Sequence, residues 1–230
     1  MALTPDFGFA PTERHIASVF ADKTGLFRHV FARADDTTPD CSGTDEAFEV
    51  LRAQAFLAAH LDKVRDTPDM VGPNVRANVA DGLRYSAEAI ARGFSLQTTL
   101  YHRWRSFFER YDVILTPAIT ISPRSWRELY PAEIDGVPTR TYFHWLAMAY
   151  AVTVVGHPAI SLPVGLDRNG MPFGLQIVGP RGGDALVLRV AAGLEALLAE
   201  DPRTSRPAPN ITALMAAPPI SAAQGFIGFD

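Results

Sequence analysis

Cysteine is nearly absent: Cys41 is the only one in 230 residues. One thiol excludes an intrachain disulfide and any Cys-x-x-Cys metal or redox pair, and it favours a reducing cytoplasm. Lysine is almost as scarce. Of 21 basic residues only Lys23 and Lys63 are lysines; the rest are arginines, which stay charged and cannot accept a proton. A mechanism that needs a lysine base therefore has two candidates. Positive charge is not in excess either, with 21 Lys+Arg against 25 Asp+Glu and a formal charge of −4. That balance carries no electrostatic footprint for nucleic acid or an anionic membrane, so neither is expected as a partner. Long apolar runs are missing. The longest, Tyr142 to Val155, is interrupted by His144 and Thr153 and reads as a buried helix, not a membrane span. The opening residues Met1-Ala2-Leu3-Thr4-Pro5-Asp6 show no basic stretch followed by an apolar one, so no targeting segment is expected there.

The usual cofactor and metal signatures are also lacking. There is no Walker A sequence, no GxGxxG and no GxSxG; Gly93-Phe94-Ser95-Leu96-Gln97 misses the second glycine. The six histidines, His15, His29, His60, His102, His144 and His157, form no HExxH and no i, i+4 pair. No metal and no cofactor is expected. Cys41 lies in a turn-rich loop beside Asp40, which opposes thiolate formation, so it is expected to be a bystander.

What is present suits a folded α/β protein: 47% hydrophobic and 20% charged residues, with short apolar runs between stretches of helical period. A strand is expected at 2–4, then a helix capped by Thr12 and stopped by Gly25, with a second strand over 27–34. Further helices are expected over 45–60, from Ser86 along the face Ile90, Phe94, Tyr101, Trp104 and Phe108, and over 141–152. Val113 to Pro117 reads as a buried strand, and Ser122 to Pro138 as a loop. Ala159 to Leu162 and Phe173 to Val178 should pair as a hairpin about the Asp167-Arg168-Asn169-Gly170 turn, followed by a helix capped by Asp184. After Asp201 the chain is rich in proline and alanine. One domain over 1–200 and a tail over 201–230 are expected.

Two places are candidates for binding. In open α/β sheets ligands gather beyond the carboxyl ends of strands, where Thr116, Pro117 and Ala118 stand. The aromatic stretch that follows offers Tyr142 and Trp145 as apolar walls with polar tips. Gly179-Pro180-Arg181-Gly182-Gly183-Asp184 is a strand-to-helix junction of the kind that can hold phosphate, but Asp184 would repel an anion, so a plain tight turn is expected.

One block is more specific. Gly156-His157-Pro158-Ala159-Ile160-Ser161-Leu162-Pro163-Val164-Gly165 is followed by Gly170-Met171-Pro172-Phe173-Gly174-Leu175-Gln176-Ile177-Val178-Gly179. Together they resemble the C-terminal block of the amidase signature family. Thr4-Pro5-Asp6-Phe7-Gly8, Leu51-Arg52-Ala53, Tyr111 to Ala118 and Trp145 agree in the family's order. The resemblance implies a partial amidase-signature fold, a mixed β-sheet flanked by helices and incomplete at the sheet edge. It also implies amide-bond hydrolysis by a serine nucleophile, a bridging serine on a cis peptide and a lysine, with a glycine- and serine-rich loop facing the oxyanion.

None of that machinery can be assigned here. The chain has no Ser-Ser pair, its one Gly-Gly pair precedes Asp184, and Lys23 and Lys63 match no family lysine. No catalytic residue is carried over; the expected substrate-binding set is Thr116, Pro117, Ala118, Tyr142 and Trp145. The chain is expected to be a truncated product, a mis-assigned start or half of a split protein, with Met1 inside a sheet that lacks neighbours. Alone it is expected to be inactive. Completed, it is expected to act on small neutral or aromatic amides. The alternatives are a non-catalytic pseudoenzyme, one half of an enzyme paired with a missing N-terminal half or a second copy, or an amidotransferase component.

Overall fold

The structure is a computed structural model that describes residues 1–218. Its strands are β1 (Ala2–Leu3), β2 (Asp35–Asp36), β3 (Ile114–Pro117), β4 (Glu133–Ile134), β5 (Val137–Pro138), β6 (Ala159–Leu166) and β7 (Pro172–Val178). Its helices are α1 (Arg14–Phe27), α2 (Thr44–Asp66), α3 (Pro73–Arg84), α4 (Ala87–Phe108), α5 (Ala147–Val155), α6 (Asp184–Leu198) and α7 (Ile211–Ala216).

The main sheet runs β2-β1-β3-β7-β6. β1 is parallel to both neighbours, while β3/β7 and β7/β6 are antiparallel, so the sheet is mixed. Alternation along each strand sends side chains to opposite faces. Ala2, Ile114 and Val178 join Leu100, Trp104 and Met148 on one side, under α2, α4 and α5. Leu3, Leu115 and Ile177 join Val19 of α1 and Leu194 of α6 on the other. Both faces are thus covered, which is why Val113-Ile114-Leu115 is apolar without a break.

The order of strands places Met1 differently from the sequence expectation. β1 is interior: Ala2 N–H donates to Val113 O at 2.9 Å and Thr37 N–H to Leu3 O at 3.0 Å. Among the described residues the open edges are the two-residue β2 and the eight-residue β6. β6 carries a register shift between Pro163 and Leu166, an interruption that blunts pairing with other chains. Gly165 makes that bend at φ +66°, and a Cβ there would collide with the carbonyl of Arg203.

Several local expectations need correction. α1 runs through Gly25 to Phe27, because burying Phe27 beneath Val19 and Phe20 outweighs the roughly 1 kcal/mol that an exposed helical glycine costs. Its N-cap is Glu13, not Thr12. The expected strand over 27–34 is a 3₁₀ turn at Arg28–Val30, and the pairing falls to Asp35–Asp36. α3 has no counterpart among the expected helices: Pro73 is at its first position, where a proline's missing N–H costs nothing. On α4 the inward residues are Gly93, Leu100, Trp104 and Phe107, while Phe94 is 55% exposed. Gly183, not Asp184, is the N-cap of α6; Asp184 lies in its first turn, facing the positive end of the helix dipole. Of the residues expected to form a tail, 219–230 lie outside the described ones, and α7 occupies part of the remainder.

Candidate substrate site

β3 ends at Pro117 against β7, and the chain leaves the sheet there into a long excursion that returns at α5. Ala118 N–H donates to Gly174 O at 2.9 Å, so the excursion starts pressed against the hairpin. Gly174 permits this approach, since a Cβ on it would stand 2.9 Å from that of Ala118. Between excursion and hairpin lies a cavity of about 300 Å³, walled by Ile119, Trp126, Tyr130, Trp145, Phe173 and Gly174. It is mostly apolar and opens at a rim where Ile119, Trp126 and Tyr130 are exposed.

Trp145 is held at both ends. Its Nε1–H donates to Tyr142 O at 2.9 Å, and its carbonyl accepts from the hydroxyl of the fully buried Thr120 at 2.6 Å. The excursion is tied to α1 as well. Glu13 accepts from Ser122 N–H at 2.8 Å and pairs with Arg124 at 3.3 Å, so the arginine at the cavity is already neutralised. Asp135 accepts from Arg14 N–H at 2.7 Å and anchors the small β4–β5 ribbon. At the hairpin end, the buried Asp167 meets His15 at 3.0 Å and accepts from the backbone N–H groups of Asn169 and Met171, each at 2.8 Å. Burial raises its pKa, but those donors outweigh it and hold the carboxyl below its ordinary value.

The five residues proposed from the sequence separate into three places. Trp145 lines the cavity, and Ala118 stands at its edge beside Gly174. Thr116 is fully buried behind it, accepting from Gln176 Nε2 at 3.0 Å and donating to Pro117 O at 2.8 Å; Pro117 is buried with it. Tyr142 does not share a helix face with Trp145. The expected helix begins only at Ala147, and Trp145 lies in a preceding 3₁₀ turn, His144–Leu146. The Tyr142 hydroxyl instead turns toward Arg52 of α2 and Asn78 of α3, while its ring meets Tyr130 of the cavity wall at 6.1 Å between centroids. Among the described residues no group of three or more His, Cys, Asp or Glu could hold a metal ion.

The family model described as Amidase matches residues 65–188, more than half of the chain. The chain belongs to the amidase family. This amidase-family chain is 26% identical over 207 residues to an acylamidase of Rhodococcus erythropolis, covering 86% of this chain and 42% of that one. It is 34% identical over 106 residues to a glutamyl-tRNA(Gln) amidotransferase component of Clostridium acetobutylicum, covering 45% and 20%. A crystal structure of a bacterial aryl acylamidase of the amidase signature family superposes with a TM-score of 0.72 at 20% identity, over 90% of this chain and 46% of that one. The likeness extends to the mixed sheet and its flanking helices. The chain spans less than half the length of these relatives.

Proposed function

We propose that this chain supplies the substrate pocket of an amide hydrolase, that the pocket takes an amide bearing a small aromatic or apolar group, and that the reactive serines and lysine come from outside these residues. The observation that carries the reading is the pairing of an apolar, aromatic-walled cavity at the end of β3 with two lysines that, among the described residues, bond to no serine. Lys23 donates to the carbonyl of Arg203, and Lys63 is exposed near the end of α2. Among the described residues neither lysine bonds to a serine hydroxyl, the contact a serine nucleophile needs for activation. The buried, disulfide-free thiol of Cys41 is compatible with a cytoplasmic location. Thr116, Pro117 and Ala118 then act as the floor that positions the cavity, and Trp145 as its wall.

The test has two arms. Purified chain should release no ammonia from phenylacetamide. It should nevertheless bind that amide, and Trp145→Ala should weaken binding about tenfold, the loss of one apolar wall, while leaving acetamide unchanged. Turnover by the chain itself, or equal loss for both amides, overturns the reading. A second reading, a non-catalytic partner in a larger assembly, rests on kinship to an amidotransferase component. It gains if no coding stretch for a Gly-Gly-Ser-Ser segment and its lysine lies upstream or in a neighbouring gene.

A further inference from the structure

Arg52 lies on α2 with its side chain among four rings. Its guanidinium carbon is 4.4 Å from the centroid of Phe56, 5.0 Å from Phe143, 5.4 Å from Tyr142 and 5.8 Å from Phe48. Rings of this kind favour a cation but bring no negative charge. Among the described residues no carboxylate lies within ion-pair distance of it, and its single hydrogen bond goes to the Tyr142 hydroxyl. Nε is buried without a partner, and Nη1 makes no hydrogen bond to any described residue. A half-buried arginine with most of its five donors unspent departs from the rule that such groups are paired.

Tyr142 repeats the imbalance. Its oxygen accepts from Arg52 and from Asn78 Nδ2 at 2.8 Å, and Asn78 is fixed in turn by Asn74 O at 2.6 Å. With its oxygen doubly occupied, the phenol still has its own O–H to give, and no described residue accepts it. Two helices and the segment before α5 therefore bring together a planar cation and a hydroxyl donor with no acceptor, one ring away from the cavity through Tyr130.

We propose that Arg52 and Tyr142 form an anion subsite that receives the carboxylate of the ligand whose apolar part occupies the cavity. It rests on the pocket reading above and narrows it to amides that carry a carboxylate beyond the aromatic or apolar group. The guanidinium edge offers paired N–H groups to the two carboxylate oxygens, and the tyrosine O–H adds a third donor. Arg124 cannot take this role, because Glu13 and Glu128 already pair with it.

The test is a titration of the purified chain, at low ionic strength, with phenylacetate, phenylacetamide and acetate, followed by NMR at the Arg52 Nε–H. Phenylacetate should bind about 10- to 100-fold tighter than phenylacetamide, the range for hydrogen bonds to a charged group. Arg52→Gln should bring the two to parity, and Tyr142→Phe, which keeps the ring, should reduce the preference about fivefold. Equal binding by the unmodified chain, no binding of phenylacetate, or a preference that survives Arg52→Gln overturns the subsite. If Arg52→Gln does not fold, Tyr142→Phe decides in the same way. Acetate separates this proposal from the cavity reading: an acetate shift at Arg52 with no phenylacetamide binding sinks the cavity and keeps the subsite.

Discussion

His157 offers a sharp test of how the core is built. It follows Gly156, the left-handed cap of α5, and is 8% exposed. Trp104 stacks on it at 5.6 Å and Tyr101 at 6.1 Å, both at 19°, with Phe108 at 4.9 Å. Neither ring nitrogen has a partner in good hydrogen-bond geometry. Burial lowers its pKa to about 4, the Gly179 backbone offsets a part, and Arg181 pushes it lower still. The folded value lies below the unfolded one, near 6.5. The unfolded chain therefore takes up this proton first as pH falls. Stability is fully present above about pH 6.5 and is lost between there and about pH 4. At roughly 1.4 kcal/mol per unit the loss amounts to about 3 kcal/mol.

The assay is urea unfolding across pH 4 to 7.5 of the unmodified chain and of His157→Phe. Phenylalanine fits an aromatic cage that asks for no hydrogen bond, so the variant should be about as stable at pH 7.5 and should lose about 3 kcal/mol less on acidification. His144, whose pKa is also lowered by burial and by Arg140, contributes equally to both proteins and cancels. Parallel pH profiles for the two would refute the reasoning, since they would mean that the imidazole is charged in the folded core or exposed to water.

Gly165→Ala should destabilise by about 2 kcal/mol or more in the same urea assay, because the residue sits at φ +66° and its Cβ meets the Arg203 carbonyl. An unchanged midpoint would show that the β6 bend is free to relax. Cys41, whose thiol burial pushes up to about 12 despite the Trp104 contact, should react with a thiol reagent at pH 8 far more slowly in the folded chain than in urea; equal rates would contradict its burial.

How much of the fold is legible in the sequence depends on whether a segment's meaning is local. Val113 to Pro117 and the hairpin about Asp167 carry their own signals, an unbroken apolar run and a turn-forming tetrapeptide, and the structure places β3, β6 and β7 there. α3 has only Val79 as a buried apolar side chain, so it has no stripe to read, and Pro73 looks like a breaker unless its first-turn position is recognised. The cavity is legible only in part. Trp145 stands out by type, but Thr120, which holds it, is one hydroxyl among many until the 2.6 Å bond is seen. The β4–β5 ribbon does carry a usable signal inside the expected loop: Asp135-Gly136, at φ 50° and 83°, is the dipeptide of a tight hairpin turn. Arg52 stands out in the sequence only as part of a family block. Two of its rings, Phe48 and Phe56, are on α2 itself, but Tyr142 and Phe143 come from the segment before α5 and Asn78, which also bonds Tyr142, from α3, so no window of sequence contains the site.

Both faces of the sheet are covered by the chain's own helices, so the two core clusters are built from this chain's own elements. Two other features differ in kind from that core: the exposed apolar rim of the cavity at Ile119, Trp126 and Tyr130, and a half-buried Arg52–Tyr142 pair with more donors than acceptors. On the proposed function, binding is measurable on the chain alone, while turnover requires groups the described residues do not bring together. A pocket that binds without turning over is the expected behaviour of this chain, and it makes ligand recognition separable from catalysis. Under the proposed function, a small acyl or aryl amide that binds here with the same preference with and without an added serine- and lysine-bearing segment would show that the pocket is set by β3, the hairpin and α2. A preference that appears only when a serine- and lysine-bearing partner segment is added would instead assign recognition to that segment.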